Sequence, residues 1–198
     1  MTQPIVLASK SIGRSSILTN AGISHELHPA HIDERAIEAS LDMEDIPPAD
    51  IAELLGVAKA QDVSARLPGR LVIGADQTLS LADEILHKSP DMEDARKKLL
   101  KLSGQPHQLN ASIAIVRDGE LLHASVHIAH MHMRTLTPKM IGQYLAEAGD
   151  GVLSSVGCYQ IEGPGIRLFE RVDGDYFTII GMPIFPLMRQ LRELGVME

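Results

Sequence analysis

The chain lacks tryptophan altogether, and its 198 residues include one cysteine, three tyrosines and three phenylalanines. A lone Cys158 cannot form an intramolecular disulfide, which fits a reducing compartment. No apolar run approaches the roughly 20 residues that cross a bilayer. Met1 to Ser9 does not show the basic stretch followed by an apolar one that marks a secretory signal. The expectation is a cytoplasmic protein without a membrane partner. Positive charge is in short supply as well: 18 Lys and Arg face 26 Asp and Glu, a formal net charge of −8. That balance argues against a nucleic-acid polymer, whose binding wants a broad basic face. It does not exclude a small phosphate ligand, which a divalent cation and a few local basic groups can hold. What remains is ordinary globular composition, 44% apolar and 22% charged, at a length sufficient for one sizeable core.

Apolar strand patterns alternate with helical ones. Ile5 to Ala8 reads as a buried strand, residues 9–20 as the helix after it, and Gly22 as its stop. A second extended piece, Ile23 to His28, leads into a polar stretch ending at Pro47-Pro48. Ile51, Leu54, Leu55 and Ala58 recur at helical spacing, so a helix is predicted from Ala49 to about Arg66. Leu71 to Ile73 is then a strand that leads out into Gly74-Ala75-Asp76-Gln77. Ser89-Pro90-Asp91 reads as a helix start with Ser89 as cap, and Met92, Ala95, Leu99 and Leu102 as the buried stripe. A hairpin follows, Gln108 to Val116 and Leu121 to Met133 around Asp118-Gly119. Thr137-Pro138 opens another helix, residues 151–165 are glycine-rich and irregular, Tyr176 to Ile180 reads as a last strand and Pro183 to Leu194 as a closing helix. With no repeat, low-complexity tract or linker, the simplest reading is one α/β domain over residues 1–198.

Polar clusters at the ends of apolar strands are where such folds keep their chemistry. Ser9-Lys10-Ser11-Ile12-Gly13-Arg14 suits phosphate: helix N–H groups meet the anion and Arg14 adds a fork of donors. The plainer reading is a helix cap by Ser11 with Arg14 in solvent. Asp76, leaving a buried strand, can hold Mg²⁺ or orient a water, and Lys88, twelve residues on, can neutralise a phosphate. Both could equally be a turn residue and a surface charge. Residues 157–165 carry glycines that allow close approach of a ligand, though an irregular loop also uses them. Asp33-Glu34 taken alone is a solvated pair. His130 and His132 share a strand face without an acidic or thiol neighbour in sequence, so they read as a half-exposed face rather than metal ligands. Cys158 has no obvious local base and reads as packing.

Taken in order, these clusters resemble the Maf family along nearly the whole chain. The matching pieces are Leu7-Ala8-Ser9-Lys10-Ser11 with Arg14, Ile32-Asp33-Glu34, Ala58-Lys59-Ala60, Gly74-Ala75-Asp76, Lys88 with Ala95, Leu102-Ser103-Gly104 with His107, residues 159–163, Gly174-Asp175-Tyr176 and Gly181-Met182-Pro183. The resemblance implies an α/β fold whose mixed twisted sheet is flanked by helices, with a cleft between two lobes. It also implies hydrolysis of nucleoside triphosphates to the monophosphate and pyrophosphate with a divalent cation, Mg or Mn, and a possible homodimer. Carried onto this sequence, it gives Asp76 as the catalytic proton acceptor, with Lys88 beside it. Ser9, Ser11, Arg14, Glu34 and Lys59 would line the phosphate and metal site, and Glu34 and Asp76 would hold the cation. A rival reading of the same resemblance is a catalytically weak nucleotide-binding regulator of septum formation and cell division.

The departures bear on the base. The family usually has Pro and Arg at the positions of Ile12 and Gly13, Thr at Gln77, Pro at Ser89 and Gln at Glu162, and Ala111-Ser112 replace an expected Thr-Gly. Gly13, Gln77 and Glu162 stand where the family's substrate branches separate. Gln77 and Glu162 are similar to the 7-methyl-GTP branch, whereas Gly13 stands where that branch tends to carry a large aromatic. Glutamate accepts hydrogen bonds only, which suits a guanine edge presenting donors. The scarcity of aromatic residues suggests that stacking on such a base is thin.

Overall fold

The computed structural model describes residues 4–41 and 46–198. Met1 to Gln3, part of the stretch read for a secretory signal, lie outside the described residues, as do residues 42–45 of the polar stretch before Pro47. A single mixed sheet organises the chain, in the order β2 (His25–Leu27), β1 (Ile5–Leu7), β3 (Leu71–Leu81), β5 (Pro106–Arg117), β6 (Glu120–Met133) and β7 (Phe169–Asp173). The short β4 (Glu84–Leu86) folds back on the end of β3. Strands β1, β2 and the start of β3 run parallel, and the long strands are antiparallel. Asp118 and Gly119, at φ 51° and 79°, close the β5–β6 hairpin. Positive φ at both central residues is what a two-residue turn of matching twist requires.

The first half of β3 and the second half of β5, which pair antiparallel, are buried on both faces. On one side α3 (Pro48–Arg66) sets Ala60 and Val63 against Val6, Val72 and Ala114. On the other, α1 (Ile12–Asn20) and the closing helix α7 (Ile184–Glu193) pack Ile17, Leu18, Leu187 and Leu191 on Leu7, Ile73 and Ile113. At the other end of this pair, Leu79 of β3 and Leu109 of β5, with Met131 of β6, join a third cluster with α4 (Met92–Leu102) and α5 (Pro138–Ala148). Each fully buried leucine or isoleucine in these layers contributes about 1.5–3 kcal/mol. One sheet thus serves two lobes, and the cleft opens where the packing helices change. No helix among the described residues is long and apolar enough to cross a membrane.

Several local expectations change. The stretch read as polar before Pro47 contains α2 (Glu34–Ala39), capped by the Asp33 side chain on the Ala36 N–H. The first helix begins at Ile12 with Ser11 as its cap. The cap of α4 is Asp91 rather than Ser89, and Lys98 replaces Met92 among its fully buried positions. Strand β3 does not stop at Ile73: it continues through Gly74, Ala75, Asp76 and Gln77 to Leu81, so Asp76 sits in mid-strand. Tyr176 to Ile180 is a helix, α6, instead of a strand. Its ends explain the change. Asp175 accepts from the Thr178 N–H, and Gly181 at φ 91° closes the C-terminus, so caps override the strand preference of Tyr-Phe-Thr-Ile-Ile.

Candidate functional site

The site is set by how closely α3 approaches the sheet. A Cβ on Gly74 would fall on the carbonyl oxygen of Gly56 and within 2.9 Å of the Ala60 nitrogen. A Cβ on Gly56 would meet the Ser112 hydroxyl, which donates to the Ala52 carbonyl at 2.6 Å and receives the Asp76 N–H at 3.1 Å. Without side chains at positions 56 and 74, helix and strand touch backbone to backbone. Lys59, between Gly56 and Ala60 in that helix, therefore lies over Asp76.

Lys59 Nζ donates to Asp76 Oδ1 and, at 2.8 Å, pairs with Glu34 Oε1. Asp76 is buried, while Glu34 reaches in from the half-exposed first turn of α2. Asp33 thus serves as a cap and Glu34 as a site group, although the two are neighbours in sequence. For Glu34, burial pushes the pKa up, but the hydrogen bond and charge of Lys59, with Lys88 and Arg14 beyond, outweigh it and leave the carboxyl below its ordinary range. Arg14 crosses from α1 into the same space. Its Nε donates to Gly181 O at 2.9 Å, and its Nη1 to Ala75 O at 2.8 Å and Ser9 Oγ at 3.4 Å. The other terminal nitrogen, Nη2, makes none of these bonds. Burial lowers the Arg14 pKa, opposed by the charges of Asp76 and then Glu34. Lys88 leans in from an exposed position beyond β4. Partial desolvation, then repulsion from Arg14 and Lys59, holds its ammonium below the usual lysine range.

These groups line a cleft of about 1230 Å³, somewhat above the roughly 300–1,000 Å³ of ordinary small-molecule sites. Ser9, Ser11, Gly13, Gln77 and Glu162 line it too, so every residue expected at the site faces one space. Their local duties differ. Ser9 Oγ receives the Ser11 N–H at 3.1 Å and Ser11 Oγ the Arg14 N–H, which orders the start of α1. Gln77 spends its amide donors on Thr178 O and Ile179 O, tying β3 to α6. At Gly13 a Cβ would come within 3.2 Å of Ile180 Cγ2, so α6 packs closely against the glycine. Glu162 is exposed on the opposite lobe.

Aromatic residues are few but placed at the cleft. Tyr176, 48% exposed, and Phe177 line it, and their rings pack edge to face at 5.7 Å. Reading α6 as a strand hid them; the Asp175 cap and Gly181 stop were the available signals. Also missed is buried Lys98, a charge three residues after Ala95 on the apolar stripe of α4. His132, expected to lack an acidic neighbour, meets Asp173 of β7 at 3.1 Å.

Comparison with known proteins gives the chain a family. A model of the Maf-like protein family matches residues 4–194. The chain belongs to that family. Its Maf-like relatives include a "7-methyl-GTP pyrophosphatase" of Brucella suis biovar 1 (strain 1330), 57% identical over 97% of this chain and 96% of the relative. A protein of the same name from Mesorhizobium japonicum is 54% identical over the full length of both. A "Nucleoside triphosphate pyrophosphatase" of Rhodopseudomonas palustris (strain BisB18) is 48% identical over 97% of this chain and 94% of the relative. The matched span contains every cleft residue described above.

Proposed function

We propose that this Maf-like chain, acting as one catalytic unit, hydrolyses nucleoside triphosphates between the α- and β-phosphates, with 7-methyl-GTP or a similar modified purine nucleotide as its preferred substrate. The observation that carries this reading is the pair between Lys59 of α3 and buried Asp76 in mid-strand, with Arg14 and Lys88 converging on it. A water attacks the α-phosphorus and gives its proton to the Asp76 carboxylate. The bond from the α-phosphorus to the α–β bridging oxygen breaks and pyrophosphate leaves, its growing charge met by Lys88 and the Nη2 of Arg14. Most of the acceleration comes from positioning and charge neutralisation. The Ile12 and Gly13 N–H groups at the start of α1 hold the phosphates.

Asp76 and Glu34 are the residues that would hold a divalent cation. Both converge on Lys59 Nζ, and a two-carboxylate oxygen set fits Mg²⁺ or Mn²⁺, which bind through one or two carboxylates and substrate phosphates. When bound, such a cation supplies charge neutralisation on the departing phosphates. The buried lone Cys158 fits a cytoplasmic setting. The names of the relatives and the intact constellation speak for an enzyme over a non-catalytic regulator.

The decisive experiment is product analysis with a nucleotide panel that includes 7-methyl-GTP, GTP, dTTP and UTP, with Mg²⁺ or Mn²⁺. Pyrophosphate and monophosphate are expected. Orthophosphate release, or no turnover of any nucleotide, would overturn the reading.

A further inference from the structure

The cleft's second lobe is built from two straps with little regular structure. One, residues 86–89, carries Lys88; the other, residues 155–162, carries Glu162. Between them lies Lys98 of α4, whose side chain is buried although the rest of that helix's inner stripe is apolar. Its Nζ donates to the His87 carbonyl on the first strap and, at 3.2 Å, to the Val156 carbonyl on the second. No carboxylate of the described residues lies within ion-pair distance of it. The straps also touch each other directly: the Cys158 thiol lies 3.1 Å from Ser89 Oγ, both buried. From behind, Tyr144 of α5 donates to the Cys158 carbonyl at 3.3 Å.

A buried ammonium without a carboxylate is a poor way to fill space. Desolvation opposes the charge, and the same stem volume is available to methionine without that penalty. What lysine provides and methionine cannot is donors for two carbonyls on segments far apart in sequence. Each carbonyl precedes a cleft residue by a short distance, His87 by one residue from Lys88 and Val156 by six from Glu162.

We propose, resting on the nucleotide-hydrolysing reading above, that Lys98 is a positioning residue that fixes the spacing of Lys88 and Glu162, so that the phosphate and base ends of one nucleotide are gripped in register. Lys98 touches neither end itself. The two residues act on opposite ends of a single ligand, so an error in their separation weakens the whole nucleotide more than either part alone.

The test compares a ligand that spans both straps with one that does not. Calorimetric Kd values are measured with Mg²⁺ for the α,β-methylene analogue of 7-methyl-GTP, which cannot be cleaved at that bridge, and for inorganic tripolyphosphate on the wild-type chain and on Lys98→Met. The nucleotide Kd is expected to rise about tenfold, as misplacing one charged contact of Lys88 or Glu162 with the nucleotide implies, while the tripolyphosphate Kd stays within about threefold on the same scale. An equal rise for both ligands would mean that Lys98 acts only through its charge. Unchanged binding of both would make it a space filler. Either result overturns the proposal. Should Lys98→Met not fold, Lys98→Gln, which keeps a donor but cannot span both carbonyls, is expected to show the same split, and its absence would be equally decisive. Because binding is the readout, a wild-type chain that releases no pyrophosphate would refute the hydrolytic reading while leaving the spacing test intact.

Discussion

The two walls of the cleft are built by different means. On the α3 side, Asp76, Lys59 and Arg14 stand on a mid-sheet strand and two helices, locked by buried hydrogen bonds and a backbone-to-backbone contact. On the opposite side, Lys88 and Glu162 ride on straps, exposed, with Lys98 holding the straps from below. In the proposed reading, chemistry that needs sub-ångström placement falls to the rigid wall and recognition of the base to the adaptable one, as sites on sheets and helices are more exact than sites on loops.

The sharpest break in that comparison is Asp76→Asn. It keeps the side chain's shape but removes the proposed proton acceptor, so kcat should fall by about a hundredfold to ten-thousandfold, the scale of a general base. The melting temperature of the variant, measured alongside, should show a folded protein. Near-normal turnover would remove Asp76 from the mechanism and leave the rigid wall as mere scaffold.

A large effect is also expected on stability, from the strap side. Burial, partly countered by the Gln105 carbonyl, lowers the His107 pKa to about 4, and its Nε2 lies 2.8 Å from the Tyr159 hydroxyl. Its folded pKa lies below the unfolded value near 6.5, so the unfolded chain binds the proton first as pH falls. Stability is therefore full above about pH 6.5 and is lost as pH drops towards 4, by on the order of 3 kcal/mol. Denaturant unfolding at several pH values checks this, and His107→Gln should flatten the slope in that window.

Gly74→Ala tests whether close approach makes the rigid wall. The added methyl must push α3 away from β3, at about 1–3 kcal/mol of stability, and it carries Lys59 off Asp76. Activity should fall more than the melting temperature alone would account for. A variant with normal stability and turnover would show that the Gly56–Gly74 contact is incidental.

How far the sequence reaches follows the same division. The hairpin was legible because Asp118-Gly119 is a local turn signal between alternating runs, and the long helices because their apolar spacing persists over several turns. The expected site residues came from ordered pieces of a family pattern and from the departures Gly13, Gln77 and Glu162, and all of them line one cleft. Position within an element was not. Asp76 was read at a strand's end because the polar residues after Ile73 resemble a turn, yet β5 pairs with β3 as far as Ser80 and keeps it extended. Helix α6 was misread because five residues carry too little period to outweigh β-branched composition, and only its two caps speak for a helix. Lys98 has no signature beyond being a charge where an apolar residue belongs.

Arg14 and Lys88 contrast the walls directly. Arg14→Ala removes bonds to Gly181 and Ala75 as well as a phosphate donor, so it should lower both stability and kcat. Lys88→Ala should leave the melting temperature alone and raise KM by about tenfold, the loss of a single charged contact. Equal thermal effects of the two substitutions would erase the distinction between fixed and adaptable cations.

The smallest expected effect concerns the base. Glu162 is exposed on the strap and lines the cleft, whose facing wall offers Tyr176. An ionised glutamate only accepts hydrogen bonds, so it favours an edge that presents donors, as guanine does with its N1–H and exocyclic amine. In 7-methylguanine the ring carries positive charge, which strengthens both the carboxylate contact and stacking on a tyrosine face. Glutamine at the same place would offer a donor and an acceptor and suit the mixed edge of uracil or thymine. Glu162→Gln should therefore shift the ratio of kcat/KM between 7-methyl-GTP and UTP towards UTP by about fivefold to twentyfold, one charged hydrogen bond's worth, with kcat for GTP little changed. Tyr176→Ala should lower KM discrimination for the methylated base in the same direction without altering the response to Glu162. A wild-type chain that prefers dTTP or UTP, with a profile unmoved by either substitution, would leave the strap wall with no part in choosing the base.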